Sequence, residues 1–182
     1  MYNIVASVCY ICPSHGGEGA RIMKEQKTNV MRVLEQKKIN YTAHEYPHGD
    51  APVDGAAVAE LLGQDPGSVF KTLVAVGASK QHYVFDVPVT RELDLKKAAK
   101  AVGEKSIAMI HVAEITPLTG YVRGGCSPIG MKKQFPTVFD ESALRYDTIC
   151  VSAGKIGAQV ELSPAELIAL VRAKTADITT EE

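Results

Sequence analysis

Two apolar runs, residues 70–76 (Phe-Lys-Thr-Leu-Val-Ala-Val) and 82–87 (His-Tyr-Val-Phe-Asp-Val), are joined by only the five residues 77–81. Both are rich in β-branched and aromatic side chains, the composition of strands. A parallel pair needs a crossover of a dozen or more residues, so a link this short makes the two runs an antiparallel hairpin. That restriction removes a strict alternation of strands and helices around a parallel sheet.

The other elements must be arranged around the hairpin. Thr28 or Asn29 can cap a helix whose apolar residues Val30, Val33 and Leu34 fall at i, i+3, i+4 spacing. Residues 40–46 read as a strand, and residues 54–62 as a short Ala-rich helix that Gly63 ends. The spacing predicts a helix over 93–102, a buried strand over 107–110, and a short helical segment over 112–115 that stops before Pro117. Short strands follow at 137–140, 148–152 and 159–162. The last helix opens on Ser163 as N-cap with Pro164 at its first position, and Glu166 completes a capping box. About seven strands and five helices result. The expected class is α+β: a single mixed or mostly antiparallel sheet, or a partial barrel, with helices packed on it.

No internal repeat or linker is visible, so residues 23–182 are expected to form one domain. Residues 1–22 carry no helical or strand period and are expected to be an extension outside the fold, with Met23 as the natural start. No apolar run approaches the roughly 20 residues that a membrane helix needs. A soluble, cytoplasmic chain with no membrane partner is the expectation. The net charge of −1 excludes a general nucleic-acid coating protein and gives no reason to expect DNA. Positive charge is nevertheless local: Lys96, Lys97, Lys100 and Lys105 form one cluster, and Arg123, Lys132 and Lys133 another. Each is either a solvated face or an anion-binding patch.

Several motifs match by letter and fail by physics. His44-Glu45-Tyr46-Pro47-His48 spells H-E-x-x-H, which binds zinc only when both histidines share one helical face. Pro47 disfavours helix at Tyr46, and the strand-like residues before it put His44 and Tyr46 on one strand face instead. Cys9-Tyr-Ile-Cys12, with His15 nearby, is a C-x-x-C without a second ligand pair. Gly154-Lys155 resembles the end of a P-loop, but Ile156 stands where Ser or Thr would hold magnesium. Cys126 is a nucleophile only if a base lies beside it in space. No metal or cofactor is therefore expected.

What remains is a lysine inside an apolar strand, Lys71, and two glycine clusters. The first, Gly120-Tyr121-Val122-Arg123-Gly124-Gly125-Cys126-Ser127-Pro128-Ile129-Gly130, can bring backbone N–H groups close to a phosphate or an oxyanion. The second is Ser152-Ala153-Gly154-Lys155-Ile156-Gly157. In this order, with His44-Glu45-Tyr46, Val69-Phe70-Lys71-Thr72-Leu73 and Leu95-Lys96-Lys97-Ala98-Ala99-Lys100, the segments resemble the YbaK/EbsC family of Cys-tRNA(Pro)/Cys-tRNA(Cys) deacylases and the related editing domain of prolyl-tRNA synthetases. The likeness runs from about residue 27 to residue 178.

The resemblance implies a metal-free hydrolase of the ester between an amino acid and the tRNA 3′ end, helped by the substrate's own thiol. By matched position it implies Lys71 and Gly124 as catalytic residues. Tyr46, Thr72, Gly125, Ser127 and Ser152 would bind the substrate, and Lys96, Lys97, Lys100 and Lys132 would hold the tRNA. Its partners would be the acceptor end of a mischarged tRNA and a prolyl-tRNA synthetase, the protein acting as monomer or homodimer. An Ala-, Ser- or Thr-tRNA deacylase, or a non-catalytic tRNA- or synthetase-binding module, remain as alternatives.

Overall fold

The computed structural model describes residues 27–49 and 53–180. Cys9, Cys12, His15 and Met23 lie outside the described residues, and so does the proposed extension 1–22. The elements run α1 (Asn29–Gln36), β1 (Thr42–Glu45), α2 (Gly55–Leu62), β2 (Phe70–Gly77), β3 (His82–Pro88), α3 (Leu95–Val102), β4 (Ile107–Met109) and α4 (Val112–Thr119). They continue with β5 (Thr137–Asp140), β6 (Ile149–Ser152), β7 (Ala158–Leu162), α5 (Pro164–Val171) and β8 (Lys174–Ala176). The fold is α+β with mixed, unclosed sheets, and the expected antiparallel hairpin is β2–β3.

Local chemistry explains most boundaries. The Met31 N–H donates to the Thr28 hydroxyl at 3.3 Å, fixing the start of α1. The Ala57 N–H donates to the Asp54 carboxylate at 3.2 Å, and Gly63 closes α2 in the left-handed region. Asp94 caps α3 by accepting from the Lys96 and Lys97 amides, and these bonds hold its carboxyl below the ordinary range.

Four expectations need amendment. α4 does not stop before Pro117 but runs through it to Thr119. The proline removes one bond from a helix whose first turn is held by the His111 N–H donating to Glu114 at 2.9 Å, and the Thr119 hydroxyl donates back to the Ile115 carbonyl at 2.7 Å. β4 is an edge strand with only Ile107 buried. Ser163 sits at the N-cap of α5, yet its side chain makes no capping bond, so the capping box is not formed. β8 adds an eighth strand, unmarked in sequence because its Lys-Thr-Ala carries no apolar alternation.

The strands divide into a five-stranded sheet, β4-β2-β3-β5-β8, and a three-stranded one, β1-β7-β6. In the first, β2 pairs antiparallel with β3 and β4, whereas β3-β5 and β5-β8 are parallel. Among the described residues, one isolated backbone bridge, Val69 to Cys150, joins the two sheets. α1 and α5 cover the main core, where the rings of Phe70 and Phe139 lie 6.4 Å apart between the sheets. The segment after β8 returns to the start of α3: Ile178 accepts from Asp94 N at 2.8 Å, Thr180 N donates to Glu92 at 3.0 Å, and Lys97 donates to Asp177 and to the Thr179 carbonyl.

Phe139 is completely buried where both sheets contribute to the core. Replacing it with Ala is expected to cost about 3–5 kcal/mol, read as a lowered midpoint in urea unfolding.

Candidate active site

A cavity of about 400 Å³ opens where the two sheets diverge. Its floor is the start of β2, from Phe70 to Val74, and its far wall comes from the smaller sheet: Tyr46, just beyond β1, Ser152 of β6 and Gln159 of β7. Period-two alternation puts these on one face, because His44 and Ser152 both stand opposite Gln159 in register. α2 forms another side through Gly55 and Val58. Met109, Ile110, Val112 and Ile115 make an apolar lip, and Arg123, Gly124 and Cys126 close the mouth.

Lys71 lines this cavity, with its ammonium 2.8 Å from a carboxylate oxygen of Glu92. Glu92 is largely in water, so the pair is a loose surface contact that leaves the lysine available. On the neighbouring residue, the Thr72 hydroxyl lies 2.6 Å from Asp86 Oδ1. Asp86 belongs to β3, is wholly buried, and burial pushes its carboxyl up to about 8 despite the Thr72 contact.

Gly124 sits at the third position of a turn closed by the Gly125 N–H donating to the Val122 carbonyl at 3.0 Å. Its φ of +82° is the value a type II turn demands there, and an L side chain would be strained. Gly125 is buried against the second glycine loop: a Cβ would come within 3.1 Å of the Lys155 and Ile156 backbone. One glycine loop therefore packs directly on the other.

Of the residues singled out in sequence, Tyr46, Lys71, Thr72, Gly124 and Ser152 meet in the one cavity. Gly125 and Ser127 stand behind it. The Gly125 amide is used in its own turn, and Ser127 is buried with its hydroxyl accepting from the Ile129 amide at 3.3 Å. Lys96, Lys97, Lys100 and Lys132 are not part of the lining. Lys97 holds Asp177, while Lys96, Lys100 and Lys132 are exposed. Residues that sequence reasoning did not assign to the site include Arg123, visible only as one member of a basic cluster. Gln159 and Asp86 are two more. Each sits inside an apolar strand, and a polar residue in such a strand was the one signal available.

Cys126 lines the cavity, but burial and the nearby Asp86 charge push its thiol up to about 12, which is no activated nucleophile. One group of side chains has metal-ligand chemistry: His44, Cys150 and Glu161 place ligand atoms within 4.8 Å of one another, next to the cavity's sheet face. These donors already satisfy each other. His44 Nε2 lies 2.7 Å from Glu161, Thr148 donates to Glu161 at 2.5 Å, and Gln64 donates to the Cys150 sulfur at 3.4 Å. The Thr148 contact, then His44, hold the Glu161 carboxyl low, and burial pushes Cys150 up to about 12. A cation would have to break this network and deprotonate the thiol.

Comparison with known proteins assigns the family. The aminoacyl-tRNA editing domain family matches residues 52–170. A protein of Enterococcus faecalis, "Putative Cys-tRNA(Pro)/Cys-tRNA(Cys) deacylase EbsC", is 48% identical over 163 residues, covering 90% of this chain and 99% of that protein. The solved structure of "a putative trans-editing enzyme for prolyl tRNA synthetase" superposes with a TM-score of 0.73 at 30% identity, over 84% of this chain and 95% of the other. The hypothetical protein APE2540 shares the fold with a TM-score of 0.74 at 23% identity, over 83% and 99% of the two chains. A hairpin floor, two stacked glycine loops and matches spanning nearly the whole fold lead to one assignment: the chain belongs to the aminoacyl-tRNA editing domain family.

Proposed function

We propose that this protein is a trans-editing deacylase that releases cysteine from mischarged Cys-tRNA(Pro), and from Cys-tRNA(Cys) by the same chemistry. The observation that carries the reading is the convergence of Lys71, Thr72, Gly124, Tyr46 and Ser152 on one cavity between the sheets. The names of the relatives support the substrate class.

An aminoacyl ester is already activated, so the site need only orient it and stabilise the negative charge that develops on the carbonyl oxygen. Lys71 supplies positive charge beside the ester, and the Gly124 amide, held by its turn, supplies an aimed dipole. Tyr46 and Ser152 stand on the opposite wall to position the amino acid. The cysteine sulfur, losing its proton, attacks the ester carbonyl carbon. The C–O bond to the ribose breaks, the ribose oxygen takes a proton, and water then opens the small cyclic thioester. This route needs no protein nucleophile, which fits the unreactive environment of Cys126. Arg123 at the mouth suits an acceptor-end phosphate. Val53, Met109 and Val112, exposed apolar side chains on the rim, suit the terminal base. The exposed Lys96, Lys100 and Lys132 are candidates for more distant phosphates. A near-neutral chain with few such contacts binds tRNA weakly alone, and a prolyl-tRNA synthetase would supply the rest. Among the described residues no helix is long and apolar enough to cross a membrane, in keeping with work on tRNA in the cytoplasm.

Lys71→Ala is expected to lower deacylation by two to three orders of magnitude, the loss typical of one electrostatic stabiliser. Thermal unfolding of this variant should hardly move, since the Glu92 pair is worth at most about 1 kcal/mol. Unchanged turnover in single-turnover assays would reject both this mechanism and a role for the cavity. Side-by-side deacylation of Cys-, Ser- and Ala-tRNA should favour Cys by at least about tenfold, because only its side chain carries the thiol nucleophile. Equal release of Ala or Ser would assign the site to another amino acid. No release from any of the three would leave a binding module.

A further inference from the structure

Asp86 is a buried acid that the proposed reaction does not use. It is 0% exposed on the central strand β3, and one carboxyl oxygen, Oδ2, has no hydrogen-bond partner. The other oxygen lies 2.6 Å from the Thr72 hydroxyl, which lines the cavity. Thr72 stands opposite Asp86 on β2 and Phe139 on β5, while the same face of β3 continues into the cluster of Val74, Val84 and Phe135. Cys126 in the glycine loop senses the Asp86 charge, and is itself in contact with Thr119. Among the described residues no ion pair includes Asp86.

An unpaired carboxylate in such a place loses its hydration and gains nothing in return, so the group keeps its proton at neutral pH. A protonated carboxyl is a donor, and Thr72 Oγ1 is the polar atom within reach. The short bond then runs from Asp86 to Thr72, and the Thr72 hydroxyl proton is free to turn toward the cavity. Ionise Asp86 and the bond reverses: Thr72 must donate to the carboxylate, and the cavity loses a donor. We propose that Asp86 is a positioning residue, whose buried carboxyl decides whether the Thr72 hydroxyl donates into the cavity, toward the substrate ester, or back toward β3. The proposal rests on the deacylase reading above. It adds a donor to that site and a limit at alkaline pH.

Its signature is a pH profile. The carboxyl is raised from 3.8 to about 8 by burial. Wild-type turnover should therefore fall above pH 8, the donating form dropping to about one-tenth one unit higher. Asp86→Asn carries an amide that donates to Thr72 at every pH. Free cysteine thiol titrates nearby and esters hydrolyse spontaneously in alkali, so the informative quantity is the ratio of Asp86→Asn to wild-type kcat, after subtraction of the enzyme-free rate. We expect a ratio near 1 at pH 6.5, rising about tenfold by pH 9 as wild type loses its donor. Asp86→Val, which suits the apolar surroundings, should fold and show lowered kcat at every pH with KM little changed.

Stability gives an independent readout. A carboxyl raised in the fold contributes stability that is complete below about pH 3.8 and lost as pH rises to about 8. Asp86→Asn should therefore gain in Tm over wild type between pH 5 and pH 8. An active wild type with a flat Asp86→Asn ratio, or an Asp86→Val variant with wild-type kcat at pH 6.5, overturns the role of Asp86 and leaves the deacylase reading standing. A wild type that hydrolyses no aminoacyl-tRNA at any pH overturns that reading and this proposal with it.

Discussion

The single bridge between Val69 and Cys150 is where the two sheets of this fold meet, and the rest of the site depends on it. Sheets twist, so two whose backbones are joined at one bridge diverge on either side of it. On one side the gap is filled by Phe70, Phe139 and the helices α1 and α5. On the other it stays open as the cavity. Strand β2 serves both sides: Phe70 packs in the core and borders the cavity floor, and Lys71 and Thr72, which follow it, line the opening.

The stacked glycine loops form the second constraint. Because Gly125 lies against the Lys155–Ile156 backbone, the turn that presents Gly124 has its position fixed by the loop following β6. Ser152 leads into that same loop. Both walls of the mouth are thus referred to one contact, which is a stiffer arrangement than two loops each anchored alone. Preorganisation of this kind lets a modest set of groups act on a developing charge without rearranging first.

Much of this was legible from residues alone. The hairpin followed from a five-residue link, α2 from Asp54 and Gly63, and the failure of H-E-x-x-H from Pro47. The rest was hidden for identifiable reasons. Pro117 signals a helix end, yet α4 survives because side-chain contacts secure both its turns. β8 is three residues held by parallel pairing to β5, a long-range contact with no local trace. Which polar residues would converge was not derivable from spacing, since Lys71, Gly124 and Ser152 come from three separate stretches of chain. Their grouping was an expectation from family resemblance. Asp86 was hard to read because a lone aspartate within Val-Phe-Asp-Val gives no sign that its side chain is wholly buried.

The return of residues 178–180 to the start of α3 has a consequence in time. Glu92, the partner of Lys71, is held in place by Thr180, and its neighbours Leu93 and Asp94 by Thr179 and Ile178. The ribosome makes these holding residues more than a hundred positions after Lys71. An emerging chain can therefore form its hairpin long before the surroundings of its lysine are set. Until then the nascent protein carries the cavity's strands without the contacts that anchor the segment bearing Glu92.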